Sequence, residues 1–195
     1  MATTAIFAEI LIIGFQAIVW LALASVTILG TQCVDVSVLK GWESLVTLFV
    51  LAIAYALGIV VDRTADSVFH PFDRKLRKKY IPDSLPPVSE MRLQIMSESE
   101  GMAKFLDYVR SRVRIARSTA LNLVLIICTF VLLSVTGRTI SGSLSEVNFL
   151  AATAVVGVVV LTLTVFAWAR ITKTYYRRLV QAYRIVEDKS GGNFR

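Results

Sequence analysis

Four long apolar runs limit what this chain can fold into more than any other feature of its sequence. They cover residues 10–29, 44–61, 118–136 and 149–169. Each is close to the roughly 20 residues that a helix needs to cross a bilayer. Globular domains are about 45–50% apolar, whereas 55% of these 195 residues are hydrophobic and stand in blocks. The runs predict an all-α polytopic membrane protein with four transmembrane helices and a helical cytosolic loop between the second and third.

The basic residues predict the orientation of these helices. Residues 62–117 carry twelve of the 21 Lys and Arg residues and residues 170–195 carry seven, whereas the connections 31–43 and 137–148 carry one each. Connections that stay in the cytosol are enriched in Lys and Arg. The distribution therefore predicts a multi-pass protein of the cell membrane, plasma or inner, with both termini in the cytosol.

The predicted helices divide the chain into four parts. Residues 1–61 form a first transmembrane hairpin, and residues 62–117 form a basic, helical cytosolic region. Residues 118–187 form a second hairpin with a cytosolic helical extension, and residues 188–195 form a disordered tail. This layout resembles that of many uncharacterised bacterial membrane proteins, some of them accessory components of defence systems. The resemblance implies the inner membrane of a bacterium.

Residues 68–80 combine aromatic with basic side chains directly after the second run. Pro71 suits the first turn of a helix, and we expect a short helix that lies in the headgroup layer of a bilayer with anionic lipids. The side chains predicted to contact headgroups are Phe72, Arg74, Lys75, Arg77, Lys78 and Lys79. A nucleic-acid surface has the same residue types, but a segment so close to a membrane helix meets lipid first. No nucleic-acid partner is predicted.

Two further amphipathic helices are predicted outside the membrane. Three prolines in residues 81–90 end the basic helix, and a short helix is expected over 88–96. The pattern Ser97-x-x-Glu100 matches a capping box, and nothing between Gly101 and Gly137 breaks the long helix that follows. The fourth run also continues as a helix to about Glu187.

Both predicted extensions carry an apolar stripe at helical spacing. The first comprises Met102, Phe105, Leu106, Val109, Val113 and Ala116, and the second comprises Ile171, Tyr175, Leu179, Tyr183 and Val186. An apolar stripe is unfavourable in water unless something covers it. The first stripe must therefore pack on the 88–96 helix, on another subunit or on a partner.

Small residues in the second run predict a closely packed helix. Ala52 with Ala56, and Ala54 with Gly58, form two pairs of small residues four positions apart. Such pairs let the backbones of two membrane helices approach closely. Gly157, near the middle of the fourth run, is predicted to have the same role.

Three polar side chains in or beside the spans have two possible roles. Glu9 and Gln16 are seven residues apart and share a helix face, and Asn122 lies near the cytosolic end of the third span, where it could meet Glu9. Hydrogen bonding between helices is the more common role of such residues. Lining a pore is the alternative.

The sequence holds no recognisable catalytic or metal motif. It has no GxSxG, P-loop or HExxH pattern. The two cysteines, Cys33 and Cys128, and the single histidine, His70, do not stand at the spacing of a redox or metal site. No metal or other cofactor is predicted.

Residues 62–66, DRTAD, resemble the Asp-rich motif of the CDP-alcohol phosphatidyltransferases. The sequence lacks that family's Gly after the second Asp and its two later aspartates, so the activity is not carried over. Asp62 and Asp66 are expected to pair with Arg63 and neighbouring arginines. An enzyme would depend on these two aspartates together with His70 and Asp73, and we predict that the protein is not an enzyme.

Two classes of function remain. The first is an integral membrane anchoring or signalling module whose cytosolic helices dock a protein partner or self-associate. The second is a small oligomeric channel or pore-forming protein, again with a defence-system component as one possibility, and a lipid-modifying enzyme ranks below both. The first class is favoured because the spans are poor in polar residues while the cytosolic helices carry stripes that need to be covered.

Overall fold

The computed structural model describes residues 2–30, 41–135 and 144–192, with side chains for all of these except 2, 3, 5, 144–150 and 189–192. The described ranges form five helices: α1 (Ala2–Leu29), α2 (Glu43–Tyr80), α3 (Val88–Glu98), α4 (Glu100–Val135) and α5 (Leu144–Gly192). All of them except α3 are long and apolar enough to cross a membrane. The predicted all-α architecture with four transmembrane helices is confirmed.

Three of the helices are longer than a bilayer requires by roughly 15 residues or more. α2, α4 and α5 contain 38, 36 and 49 residues, whereas about 20 residues span the hydrocarbon core. Each helix continues unbroken past its apolar run, as predicted for α4 and α5. The extensions meet at one end of the molecule, which we call the basic end: residues 62–80 of α2, all of α3, residues 100–117 of α4 and residues 170–192 of α5.

The prediction of a separate helix beginning at Pro71 is wrong. Pro71 lies inside α2, which stays helical from the span to Tyr80. A proline inside a helix removes one backbone hydrogen bond, but side chains on both sides of it are held by other helices. Phe69 stacks edge-on against Trp168 of α5, and Leu76 packs against the core of the basic end.

The junction between α3 and α4 also differs from the prediction. α3 continues to Glu98, and Ser99 alone separates the two helices, with φ −151° and ψ 102°. The backbone N–H of Met102 donates to the Ser99 hydroxyl at 3.4 Å, whereas the Ser97 hydroxyl donates to the carbonyl of Gln94 within α3. The cap is therefore Ser99, and the capping box predicted at Ser97 is wrong.

The C-terminal helix extends further than the sequence predicts. α5 continues past Glu187 to Gly192, so residues 188–192 of the predicted disordered tail are helical. Residues 193–195 lie outside the described part of the chain, as do the connections 31–40, with Cys33, and 136–143.

α4 is the central helix of the bundle. It packs against α1 on one side and α5 on another, and α1 also packs along α2. The hydrogen bonds between α1 and α4 join residues 102 to 109 positions apart. This nearly constant offset means that the two helices run in the same direction. α3 lies across α4 and α5 at the basic end.

The basic end has a core of its own. Its buried residues are Met91 and Ile95 of α3, Leu106 and Val109 of α4, and Tyr175, Tyr176, Leu179, Ala182, Tyr183 and Val186 of α5, with Leu76 and Tyr80 of α2 packed against them. Both predicted apolar stripes contribute to it. The stripes are therefore covered largely within the chain, by α3 and by each other.

Candidate functional site

The contact between α1 and α2 is built on small residues. Ala54 and Gly58 are buried against α1, and a Cβ placed on Gly14 of α1 would overlap the carbonyl of Ala54. A Cβ on Gly58 would likewise overlap the carbonyl of Ile10. The backbones therefore touch, as expected where glycine and alanine face each other in membrane helices.

The other predicted small residues divide between contact and exposure. Ala52 and Ala56 face away from α1 and are exposed, so only the Ala54/Gly58 pair forms the close contact. In α5, a Cβ on Gly157 would lie 3.1 Å from Cγ1 of Ile127. Gly157 therefore lies at the contact between α5 and α4, as predicted for a packing residue.

Asn122 joins α4 to α1 through three hydrogen bonds. Its amide nitrogen donates to the carbonyl of Ile13 at 3.0 Å and to Oε1 of Gln16 at 3.3 Å, and its Oδ1 accepts from the indole N–H of Trp20 at 3.2 Å. The side chain is 1% exposed. Gln16 and Asn122 thus contact each other between two helices of one chain, as expected of an interhelix role.

Glu9 lies about two helical turns before Gln16 on α1 and does not contact Asn122. It accepts a hydrogen bond from the hydroxyl of Ser111, and its Oε2 lies 3.6 Å from Nη1 of Arg114. The prediction that Glu9 contacts Asn122 is wrong. The two helices run parallel in a register that places Glu9 beside residues 111–114 and Asn122 beside residues 13–16. Glu9 is buried, with 8% exposure, and its charge is compensated by Arg114.

Asp62 and Asp66 form ion pairs with α4. Arg117 contacts both carboxylates, lying 3.3 Å from Asp62 through Nη2, and Nε of Arg114 lies 3.8 Å from Asp62. The hydroxyl of Ser118 also donates to Asp62 at 3.4 Å. The aspartates thus pair with arginine, as expected, but with arginines of α4 and not with Arg63. Together with Glu9 this network ties α1, α2 and α4 together where the spans end.

A second polar contact joins α2 to α5. The hydroxyl of Tyr176 donates to Oδ2 of Asp73 at 2.8 Å. Burial, and then the nearby Asp73 carboxylate, raise the pKa of Tyr176 far above its ordinary value. Burial also raises the pKa of Tyr175, although Arg92 and Arg110 oppose this. Both tyrosines are therefore neutral donors at neutral pH.

The residues predicted to contact headgroups are all exposed on the extension of α2 (Phe72, Arg74, Lys75, Arg77, Lys78 and Lys79). The helix rises about 1.5 Å per residue, so Lys79 would lie roughly 27 Å beyond the end of the span if α2 continued straight. Headgroup contact along the whole segment would require a strong tilt of α2. It stays a prediction, and Arg77 has a second environment in the cavity described next.

A cavity of about 610 Å³ opens between α2, α4 and α5 where they leave the spans. Ile6, Ile10 and Ile59 line it on the side of the membrane segments. Its charged lining residues are six arginines and three aspartates: Arg63, Arg77, Arg92, Arg110, Arg114, Arg117, Asp62, Asp66 and Asp73. The lining thus carries more positive than negative charge, so it favours an anion over a cation.

Three buried polar atoms of residues that line this cavity have no hydrogen-bond partner among the described residues. They are Nε of Arg117, the indole nitrogen of Trp168, a residue 4% exposed, and the hydroxyl oxygen of Thr172, a residue 1% exposed. Buried polar groups are nearly always bonded to protein, water or a ligand. No group of three or more His, Cys, Asp or Glu in the described ranges could hold a metal ion.

Several of these residues were not predicted from the sequence. Neither Trp168 nor Thr172 belongs to a motif or to an apolar stripe that would mark it in the sequence. Gly14 carried a signal, a glycine inside an apolar run, that could have marked it as the partner of the small residues in α2.

No protein-family model matches the chain, and neither a curated protein nor a solved structure matches it.

Proposed function

We propose that the protein is an integral membrane anchoring and signalling module whose helices at the basic end dock a protein partner or a second copy of the chain. The observation that carries this proposal is the core of the basic end, in which side chains of α2, α3, α4 and α5 pack together. These helices already support one another, so a partner would meet an ordered surface. Binding to an ordered surface avoids much of the entropic penalty of ordering loops and side chains.

The surface best suited to docking is the water-facing side of α3 and of the start of α4. Leu93 and Met96 of α3 are 67% and 53% exposed, and Phe105 and Tyr108 of α4 are 48% and 57% exposed. They are not among the residues that form the core of the basic end. Binding of a partner that covers large apolar side chains and removes them from water is favourable.

The proposed location of this surface is the cytosol, because the basic end carries most of the Lys and Arg residues. A test would replace Cys33 and Cys128 with serine and introduce single cysteines by Lys40→Cys or Pro86→Cys. A membrane-impermeant maleimide should label the Lys40→Cys variant in intact cells and the Pro86→Cys variant only after lysis. The opposite labelling would place the docking surface outside the cell.

The docking proposal itself is tested with the double variant Leu93→Gln/Met96→Gln. The wild-type chain in lipid nanodiscs should either form dimers by mass photometry or, when expressed with a proximity-labelling enzyme at its C-terminus, label a reproducible cytosolic protein. The double variant should lose that dimer or that labelling. The control Ile185→Gln, an exposed apolar residue of α5, should keep it. A monomer whose labelling is the same in all three chains would contradict the proposal.

The pore alternative has less support from the contacts. Gln16 and Asn122 bond to each other, and Glu9 bonds to Ser111 and Arg114, all between α1 and α4 of one chain. Side chains used in this way are not free to line a path between subunits. The purified protein should therefore give no ion flux in liposomes. Flux that the variant Gln16→Leu abolishes would favour a pore over a docking module.

A further inference from the structure

The cavity at the basic end has the dimensions and the divided lining of a ligand site. Its volume of about 610 Å³ lies within the range of roughly 300–1,000 Å³ that is usual for small-molecule pockets. The isoleucines line it on the side of the membrane spans, and the arginines line it on the side of the basic end. A ligand that fills it would have an apolar part and an anionic part.

Three of the six lining arginines already have carboxylate partners. Arg92 pairs with Asp107, and Arg114 and Arg117 pair within the network of Glu9, Asp62 and Asp66. The other three, Arg63, Arg77 and Arg110, make no ion pair with any residue that the structure describes. They come from two helices, α2 and α4, and they face one cavity.

The hydrogen-bonding groups of the cavity are mostly donors. A guanidinium and an indole N–H can donate but cannot accept, and a hydroxyl can do either. The unpaired donor of Trp168 and the unpaired hydroxyl of Thr172 lie in the same wall. The complement of such a set is a group with several acceptor oxygens and a negative charge.

We propose that this cavity binds the phosphate group of a phosphate ester. Guanidinium groups match the geometry of phosphate through paired N–H donors, and the Trp168 and Thr172 groups would supply two further hydrogen bonds. The isoleucines of the opposite wall suit the apolar part of an amphiphile such as a phospholipid. The site is separate from the docking surface, because neither Leu93 nor Phe105 lines it.

The test measures binding of short-chain phosphatidylglycerol to the purified full-length chain in a maltoside detergent, by titration calorimetry and native mass spectrometry. One molecule should bind per chain and saturate. Arg77→Gln and Arg110→Gln should each weaken binding about tenfold or more, since each removes a charged hydrogen-bond donor. Arg112→Gln on α4 and Arg184→Gln on α5 are controls, because both arginines are exposed and lie outside the cavity lining. They should leave the affinity nearly unchanged.

The variant Thr172→Val separates ligand binding from folding. It keeps the shape of the side chain and removes a hydroxyl that has no hydrogen-bond partner among the described residues, so the unliganded chain should be as stable as the wild type. If the hydroxyl contacts the phosphate, the variant should bind the lipid at least about threefold more weakly. An unchanged affinity in this variant would count against the proposed geometry.

Further probes identify the source of the phosphate. Inorganic phosphate or glycerol phosphate that displaces the lipid would support the site and indicate a soluble ligand, whereas binding of the phospholipid alone would indicate a headgroup. Diacylglycerol of the same chain length lacks the phosphate and should not compete. Equal binding of diacylglycerol, equal losses in the control variants, or the absence of saturable binding would overturn the proposal.

Discussion

The contact between α1 and its neighbours and the core of the basic end hold helices together in different ways. Along the spans, α1 touches α2 through the small residues Gly14, Ala54 and Gly58, and touches α4 through the hydrogen bonds of Asn122. At the basic end, α3, α4 and α5 meet through large apolar and aromatic side chains. The first contact is centred on small and polar side chains, with only a small cluster of larger ones around Ile13 and Val61, whereas the second depends on large apolar and aromatic side chains throughout.

The difference follows from the two solvents. Between helices in a bilayer, burying an apolar side chain gains little because lipid is as apolar as the protein, so close backbone contact and polar bonds provide the attraction. In water, burying apolar surface is the main favourable term. The structure changes from one mode to the other near the ion pairs of Asp62 with Arg114 and Arg117. We take that level as the boundary between lipid and water.

The largest expected effect is at the basic end, where Leu179→Ala should lower the free energy of unfolding by about 2–5 kcal/mol. Leu179 is fully buried, and truncation of a buried leucine leaves a cavity. Hydrogen exchange should accelerate in α3 and at the end of α5 while the spans stay protected. The control Ile185→Ala, at 38% exposure, should change little. Equal destabilisation by both variants would show that the core of the basic end is not tightly packed.

An intermediate effect is expected in the membrane, from Ala54→Leu. Ala54 is fully buried against α1, and overpacking a tight contact typically costs about 1–3 kcal/mol. The matched control is Ala56→Leu, the same change two residues away on the exposed side of α2, which should be nearly neutral. Thermal unfolding in detergent measures both. Equal stability of the two variants would contradict the close packing of α1 against α2 at Ala54.

A smaller effect is expected from Asn122→Ala, which removes the hydrogen bonds to Ile13, Gln16 and Trp20. Interhelix hydrogen bonds in membranes are worth about 0.6 kcal/mol on average, up to about 1.7, so a loss of about 1–2 kcal/mol is expected. The control is Thr129→Val, because the Thr129 hydroxyl bonds only to carbonyls of its own helix. Resistance to unfolding by dodecyl sulfate should fall in the first variant and not in the control. An equal loss in both would show that the contact does not hold α1 to α4.

The sequence predicted the four long apolar helices well, because hydropathy and helical spacing are local properties. The span positions follow from the length of the apolar runs, and the long α4 follows from the absence of a helix breaker between Gly101 and Gly137. Both apolar stripes follow from the helical spacing of 3.6 residues, and both contribute to the core of the basic end. The Ala54/Gly58 pair was also predicted from spacing alone. Spacing could not decide between this pair and Ala52/Ala56, because both satisfy the same pattern and only the position of α1 distinguishes them.

The candidate site was much less predictable. Arginine was correctly expected beside Asp62 and Asp66, but the partner Arg117 lies 51 and 55 residues away, and no local pattern encodes such a pairing. The cavity depends on how α2, α4 and α5 diverge as they leave the spans. Trp168 and Thr172 matter there because they are buried without partners, which is a property of the tertiary structure.

The smallest effect concerns the hydrogen bond between Tyr176 and Asp73, the polar contact that accompanies the core of the basic end. Tyr176→Phe removes it and should cost about 1 kcal/mol at neutral pH. The folded state raises the pKa of Tyr176 above its ordinary value of 10.0, so the unfolded chain loses this proton first. The stabilisation is therefore complete below pH 10 and decreases as the pH rises above it.

The wild type should accordingly lose thermal stability above pH 10, and the variant should lose less, so that the difference between the two chains narrows. Tyrosinate absorbance during the titration should show one late-ionising group fewer in Tyr176→Phe. Tyr108→Phe is the control, because Tyr108 is 57% exposed; its pH profile should follow that of the wild type. A difference between wild type and Tyr176→Phe that stays constant through alkaline pH would mean that water reaches the Tyr176 hydroxyl. Tyr176, which belongs to the core of the basic end and also lines the cavity, would then be more accessible to water than its contact with Asp73 indicates.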